Sequence, residues 1–405
     1  MIVGVTSGRR STYAASCAAP DSSLHSRDHS MRPSPGARPV RLLRQLTSAA
    51  VLTVWAAACG PPPRPPIAAS TTSGANPVQV RFVTDEAEVA LALASSLRAG
   101  REPPPEAWAR LFATDGYRRL RRRETGMGRP FADSAFAAFL RSDSLLAAVP
   151  RLEETLARWR TANVEAAAGR ALAYLPPGTV LRAAVYPMIK PRPNSFVWDV
   201  GTDSAAIFQH LDPTVTPAKM ENTIAHELHH VGFAAACVGG DDISTPERLA
   251  RRLSAGLGEG LAMLAAAGSA EADPHAASAA GERARWERDL AQWPADLRRL
   301  DSFLADVATG RLTDLDSIQR RARTFYGDAQ GAWYTVGYAM AVRVERAFGR
   351  DELVRSICDM PSLMRLYNQA VAGDPVLPAW SDGLLGRLDA GRPSRAADPE
   401  TDRSP

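Results

Sequence analysis

The sequence predicts an α+β fold, mainly helical, in which a small antiparallel sheet lies next to a histidine-bearing helix and a set of helices closes the C-terminal side. Three observations carry this expectation. Helical periodicity of apolar residues runs through both halves of the 405-residue chain. It is interrupted at 179–186, 195–200 and 204–209 by short runs of β-branched or aromatic residues separated by Pro, Asn and Gly, which read as three strands. Directly after the last of them stands Asn222-Thr-Ile-Ala-His-Glu-Leu-His-His230, whose His226-Glu227-x-x-His230 spacing is that of a metal-binding helix.

Taken in order, the folded part begins near Val78. Helices are expected at 85–97, from the prolines at 103–105 through Arg123, at 134–146 and at 152–168. The helix carrying the histidines opens at Thr216-Pro217, an N-cap followed by proline at the first helical position, and stops before Gly239-Gly240. Thr245-Pro246 repeats that start signal, and Leu249, Leu253, Leu257, Leu261 and Leu264 then recur at helical spacing. Inside this second run stand Gly256, Gly258 and Gly260. Glycine in a helix interior costs roughly 1 kcal/mol relative to alanine, so the close approach of another helix, or of a metal, has to explain them. A long charged helix follows at 282–304, with Trp286, Leu290 and Trp293 on one face, and helices at 328–348, 351–358 and 362–371 complete the C-terminal set.

Positions four apart lie one above the other on a helix, so His226 and His230 can bind one ion, while Ile224, Leu228 and Val231 form a separate apolar stripe. Three of the seven histidines fall within these five positions. A catalytic zinc takes three protein ligands and leaves a fourth position open. Glu259 is the candidate third ligand, because its flanks Leu257, Leu261 and Met263 are apolar and do not suit a solvated charge. Neither Cys237 nor Cys358 is spaced from the histidines as in a closed structural zinc site.

An HExxH helix followed by Gly258-Glu-Gly-Leu-Ala262 resembles the gluzincin clan of zinc peptidases, the thermolysin-like group with Glu as third ligand. More narrowly, the chain is similar over roughly residues 80 to 375 to a family of bacterial zinc-dependent peptidases known mainly as a domain of unknown function. Gly116-Tyr-Arg-Arg-Leu120 and Tyr334-x-x-Gly-Tyr-x-Met340 belong to that likeness. The metzincin pattern fails, since no histidine stands six residues after His230. Lys219-Met-Glu-Asn222 resembles an aminopeptidase substrate motif but abuts the HExxH, and it reads as coincidence. The resemblance implies a thermolysin-like core, a Zn2+ cofactor on His226, His230 and Glu259, and a peptide or protein substrate held against an edge strand, for which 205–209 is the candidate. Glu227 would be the general base, and Tyr334, with Tyr338 behind it, the donor to the developing oxyanion. His229 is expected near the ligands or in the cleft, and His210 at the end of the edge strand or on an exposed loop. The alternative is a zinc-binding exported protein that binds partners without catalysis; retention of Glu227 speaks against it, because a pure scaffold has no use for a base.

Domain limits follow from composition. Residues 1–30 read as an upstream extension and Met31 as the natural start. Arg32, Arg38, Arg41 and Arg44 form a basic region, 46–58 a short apolar one, and Ala56-Ala-Ala-Cys59 resembles a bacterial lipobox with Cys59 as the lipidated residue. Cleavage after an Ala-x-Ala pattern is the alternative, and both readings export the protein. Residues 60–77 are a Pro/Ser/Thr-rich tether, 78–390 the peptidase-like domain (helical part 78–170, sheet and metal site 171–270, C-terminal helices 281–390), and 391–405 a disordered tail. A net charge of +4 is small for this length, and the arginine run at 118–123 reads as a solvated helix face, which excludes a nucleic-acid partner. Of the four cysteines, Cys17 precedes the expected start and Cys59 is the lipobox residue; Cys237 and Cys358 are left as one disulfide or two buried thiols. Expressed from Met31 in a Gram-negative host, the chain is expected in the membrane fraction, and Cys59→Ser is expected to release it or stall its processing; wild-type protein recovered from the cytoplasm would contradict this.

Overall fold

The computed structural model describes residues 76–202, 204–237, 242–327 and 330–392. The 1–30 extension, the signal segment with Cys59, the tether up to residue 75 and the tail from 393 lie outside the described residues. Among the described residues no helix is long and apolar enough to cross a membrane.

The chain enters through strand β1 (Val78–Phe82) and then forms six helices: α1 (Asp85–Arg98), α2 (Pro105–Ala113), α3 (Asp115–Gly126), α4 (Asp133–Leu140), α5 (Asp143–Trp159) and α6 (Val164–Leu172). Strands β2 (Leu181–Met188), β3 (Phe196–Trp198) and β4 (Ala205–His210) follow, and then the histidine helix α7 (Pro217–Ala236). Helix α8 (Pro246–Ser254) runs through one 3-10 turn into α9 (Gly258–Ala267), which carries Glu259. The C-terminal set is α10 (Ala280–Ala291), α11 (Trp293–Ala308), α12 (Leu315–Thr324), α13 (Ala332–Phe348), α14 (Arg350–Ser356), α15 (Met360–Val371) and α16 (Asp382–Ala390).

The sheet corrects the expectation of an antiparallel one. Its order is β1-β2-β4-β3, with β1–β2 and β2–β4 parallel and only β3–β4 antiparallel. Six helices separate β1 from its partner, the long crossover that a parallel pairing needs, and β3 folds back outside β4 instead of between β2 and β4. Strand β4 is therefore interior, paired on both sides, and the edges are β1 and β3. The assignment of 205–209 as the edge strand is overturned by this order.

Caps explain where the helices break. Thr114 accepts a bond from the Tyr117 amide and splits the helix expected through Arg123; Asn163 does the same for α6, and the long helix expected at 282–304 divides at Gln292, ahead of Pro294. Thr216 and Thr245 cap α7 and α8 as their sequences predict. Helices α12 and α16, not expected, open on Asp314 and Ser381 caps.

One face of the sheet and the Met220, Ile224, Leu228 and Val231 side of α7 share the main core. The other face, with Ala184, Tyr186, Met188, Phe196 and Phe208, packs against Leu120 of α3. Arg123 belongs to that layer: it is buried, pairs with Glu124 and lies 3.6 Å over the Phe196 ring, whereas Arg118, Arg121 and Arg122 are exposed as the arginine run predicts.

Two contacts lock α7 and α9 in place. A Cβ at Gly260 would fall inside the backbone of Gly337 and Tyr338 on α13, and one at Gly256 would meet the Trp333 ring at 2.8 Å. Close helix approach thus accounts for both glycines; Gly258 has open space around its Cβ position. At the other end of α7, Cys237 is bonded to Cys358, which follows α14, across a separation of 121 residues. Closing a loop of that size contributes about 2–5 kcal/mol. Reduction, or Cys237→Ser and Cys358→Ser separately, is expected to lower the thermal midpoint by equal amounts, read by calorimetry; unequal losses would show that one thiol matters for packing and not for the bond.

Candidate metal centre

Helices α7 and α9 run side by side, tied by the Asn222 side-chain amide donating to the Ala266 carbonyl at 3.1 Å. That contact sets the register in which two histidines of one helix meet a carboxylate of the other. His226 Nε2 and His230 Nε2 lie 3.1 Å apart, and Glu259 Oε2 is 3.3 Å from the first and 3.1 Å from the second. Ligand atoms around a tetrahedral zinc at about 2.0–2.2 Å stand about 3.3–3.5 Å from one another, so these three fit one ion with little rearrangement. Among the described residues no fourth His, Cys, Asp or Glu joins the cluster.

The electrostatics agree with that donor set. Burial disfavours the charged form of His226 and lowers its pKa, ahead of the opposing pull of Glu259. Burial also works against charge on His230, but there the Glu259 carboxylate prevails and raises it. Glu259 itself is held well below the carboxylate range: burial would raise it, and the His230 charge with hydrogen bonds from both imidazoles overcomes that. Two buried polar groups and a partly buried third, converging on one point and leaning on one another, are what a cation site looks like from the protein side.

Glu227 is buried beside them, its Oε2 without a hydrogen-bond partner. Burial pushes its carboxyl up to about 7. It does not belong to the ligand cluster; its place on α7 lies at the corner between the metal face and the Ile224–Val231 stripe.

The remaining expectations sort themselves by contact. Tyr334 stacks on the His226 ring at 6.2 Å between centroids and 17° between planes, which puts it at the centre. The Tyr338 hydroxyl donates to the Ala272 carbonyl at 3.3 Å and its ring meets Trp286 at 5.4 Å, so it is engaged elsewhere. His229 is buried, bonds the Tyr174 carbonyl through Nε2 at 3.3 Å and packs on Phe233, which removes it from the cleft. His210 is half-buried with an unpartnered Nδ1, not an exposed loop residue, and burial pushes it down to about 4. In the Lys219–Asn222 segment, Met220 is core, Glu221 accepts from the Asn163 amide and Asn222 holds α9, so three of its four residues have structural duties.

Sequence reasoning missed Tyr326. It stands in the turn between α12 and α13, with its ring 6.3 Å from that of Tyr334, and extends the aromatic wall that starts at His226. No periodic signal marks a residue in a turn; the closing bond from the Gly331 amide to the Tyr326 carbonyl at 2.8 Å places it.

Comparison with curated proteins finds no match, and comparison with solved structures finds none either. A family model does match, over residues 108–375, which include α7, α9 and α13 and more than half of the chain. On that match the chain belongs to the family described as "putative zinc dependent peptidase (DUF5700)".

Proposed function

We propose that the chain is a gluzincin-type zinc peptidase, with a thermolysin-like arrangement of sheet, HExxH helix and carboxylate-bearing helix. The observation that carries the reading is the meeting of His226 Nε2, His230 Nε2 and Glu259 Oε2 with an unsatisfied Glu227 carboxylate at their side. His226, His230 and Glu259 would hold a zinc ion, which would supply Lewis acidity toward the peptide carbonyl and the attacking water.

The protein's own groups do the rest. Glu227 accepts the proton of the attacking water as its oxygen adds to the carbonyl carbon, then gives that proton to the amide nitrogen as the C–N bond breaks. Tyr334, stacked on His226, is the donor to the carbonyl oxygen as charge builds there. Strand β3, the antiparallel edge of the sheet, replaces 205–209 as the strand on which an extended substrate pairs. The Cys237–Cys358 bond suits an exported protein, since disulfides persist in oxidising compartments, and Cys59 would hold it on a membrane.

Glu227→Gln keeps size and leaves an amide, so zinc content and thermal midpoint should survive while the base is lost. General acid–base groups contribute about 10²–10⁴-fold, and chelator-sensitive cleavage of the best peptide in a library is expected to fall by at least about 100-fold. Equal cleavage by both proteins would remove Glu227 from the mechanism. Absence of chelator-sensitive cleavage by the wild type would favour a zinc-binding protein without catalysis.

A further inference from the structure

The metal face of α7 does not end at His226. Lys219, Thr223, His226 and His230 follow one another at i, i+4, i+7 and i+11, on one side of the helix. Lys219 stands two turns before His226, about 10 Å along the axis, which is the reach of about three residues of extended peptide.

Its ammonium is held from two sides. It donates to Ser278 Oγ at 2.8 Å and to Glu282 Oε1 at 2.7 Å. Ser278 is itself fixed by His275 Nδ1 at 2.9 Å, and the buried His275 ring packs on Trp286 at 5.1 Å. From α9, Met263 lies one turn beyond Glu259 and accepts from the Gln330 side chain at 3.5 Å. A lysine with four rotatable bonds is costly to order; this one is anchored by two residues of the segment that opens α10.

Exposure shows which way the face opens. Side-chain accessibility is 6% at Glu259, 10% at His226 and 12% at His230, then 18% at Lys219 and 34% at Glu282. Along this face exposure thus rises from the ligand side chains toward Lys219 and Glu282. An ammonium carries three N–H donors, and among the described residues Ser278 and Glu282 take two of them. The Glu282 carboxylate sits further out, on α10, and is committed to Lys219. A cationic substrate group would have to displace Lys219 from Glu282, whereas a carboxylate adds to the open donor.

We propose that Lys219 is a specificity residue, set by Ser278 and Glu282 to bind a substrate carboxylate about three residues from the cleaved bond, as the C-terminus of a short peptide or as an Asp or Glu side chain. The inference rests on the peptidase reading and names the substrate class of that same site.

The test uses the full-length, zinc-loaded protein and one cleavable sequence in matched forms. The free C-terminal acid is compared with the amide at each distance from the bond, and Glu with Gln at the same internal positions. A hydrogen bond to a charged group implies a preference of about 10–100-fold in kcat/KM, carried mostly by KM. A free acid preferred over its amide marks the C-terminal carboxylate; Glu preferred over Gln in amidated peptides marks the side chain. In Lys219→Met the ratio of acid to amide, or of Glu to Gln, should collapse toward one, and Lys219→Arg should restore it. Cleavage without such a preference, a preference for cationic groups, or a Lys219→Met loss equal for charged and neutral peptides would overturn the inference, the last showing Lys219 to be only a clamp for α10. Absence of chelator-sensitive cleavage of every peptide is a different failure, because it removes the peptidase reading on which the inference stands.

Discussion

A carboxylate taken out of water is costly unless charge or hydrogen bonds replace its hydration, and the arrangement of this protein follows from where Glu259 is buried. Its oxygen has to stand within about 3 Å of two imidazole nitrogens that belong to another helix. A shift between α7 and α9 would weaken the two imidazole contacts that offset this buried charge. The surrounding structure is accordingly built to prevent such a shift. Gly260 lets α13 press its backbone directly on α9, Trp333 covers Gly256, Asn222 ties α7 to the end of α9, and the disulfide joins the far end of α7 to the segment after α14. The helices of the C-terminal set are in this sense the support of the metal site.

The same constraint explains how the site meets solvent. The apolar stripe of α7 is spent on the sheet and the core, so the histidines have only the α9 and α13 side to face. Glu227 falls at the corner between the two, buried and unsatisfied. It follows a ligand in the chain but is not part of the ligand cluster. Tyr334 stacks on the His226 ring and Tyr326 stands against Tyr334.

What the sequence made legible was local. Ligand spacing on one helix, threonine N-caps before Pro217 and Pro246, and an acid among glycines are all written within a few turns of chain, and the structure places them together. The pairing of Cys237 with Cys358 was one of two alternatives that only three-dimensional proximity could settle. What stayed hidden was the long-range part. Strand β1 is a single half-buried alternation whose partner lies beyond six helices, and nothing near Val78 announces a parallel strand at Leu181. Three short strands in close succession suggest hairpins, yet β2 and β4 pair in parallel with β3 outside them. Arg123 reads as one more surface arginine until an aromatic ring and Glu124 are found beneath the sheet to receive it. Local physics sets the elements; their order in the sheet is decided by burial that no short window contains.

The central claim is that two imidazole nitrogens and one carboxylate oxygen, from α7 and α9, hold one zinc. Zinc-edge X-ray absorption of the purified protein, with metal content determined on the same sample, tests it most directly. The account predicts about one zinc per chain, with nitrogen and oxygen neighbours at about 2.0–2.2 Å, two of them imidazoles, and no sulfur neighbour at about 2.3 Å. In Glu259→Ala the occupancy should fall and the imidazole signal of any zinc retained should persist. A sulfur neighbour, or full occupancy with an unchanged spectrum in Glu259→Ala, would contradict it.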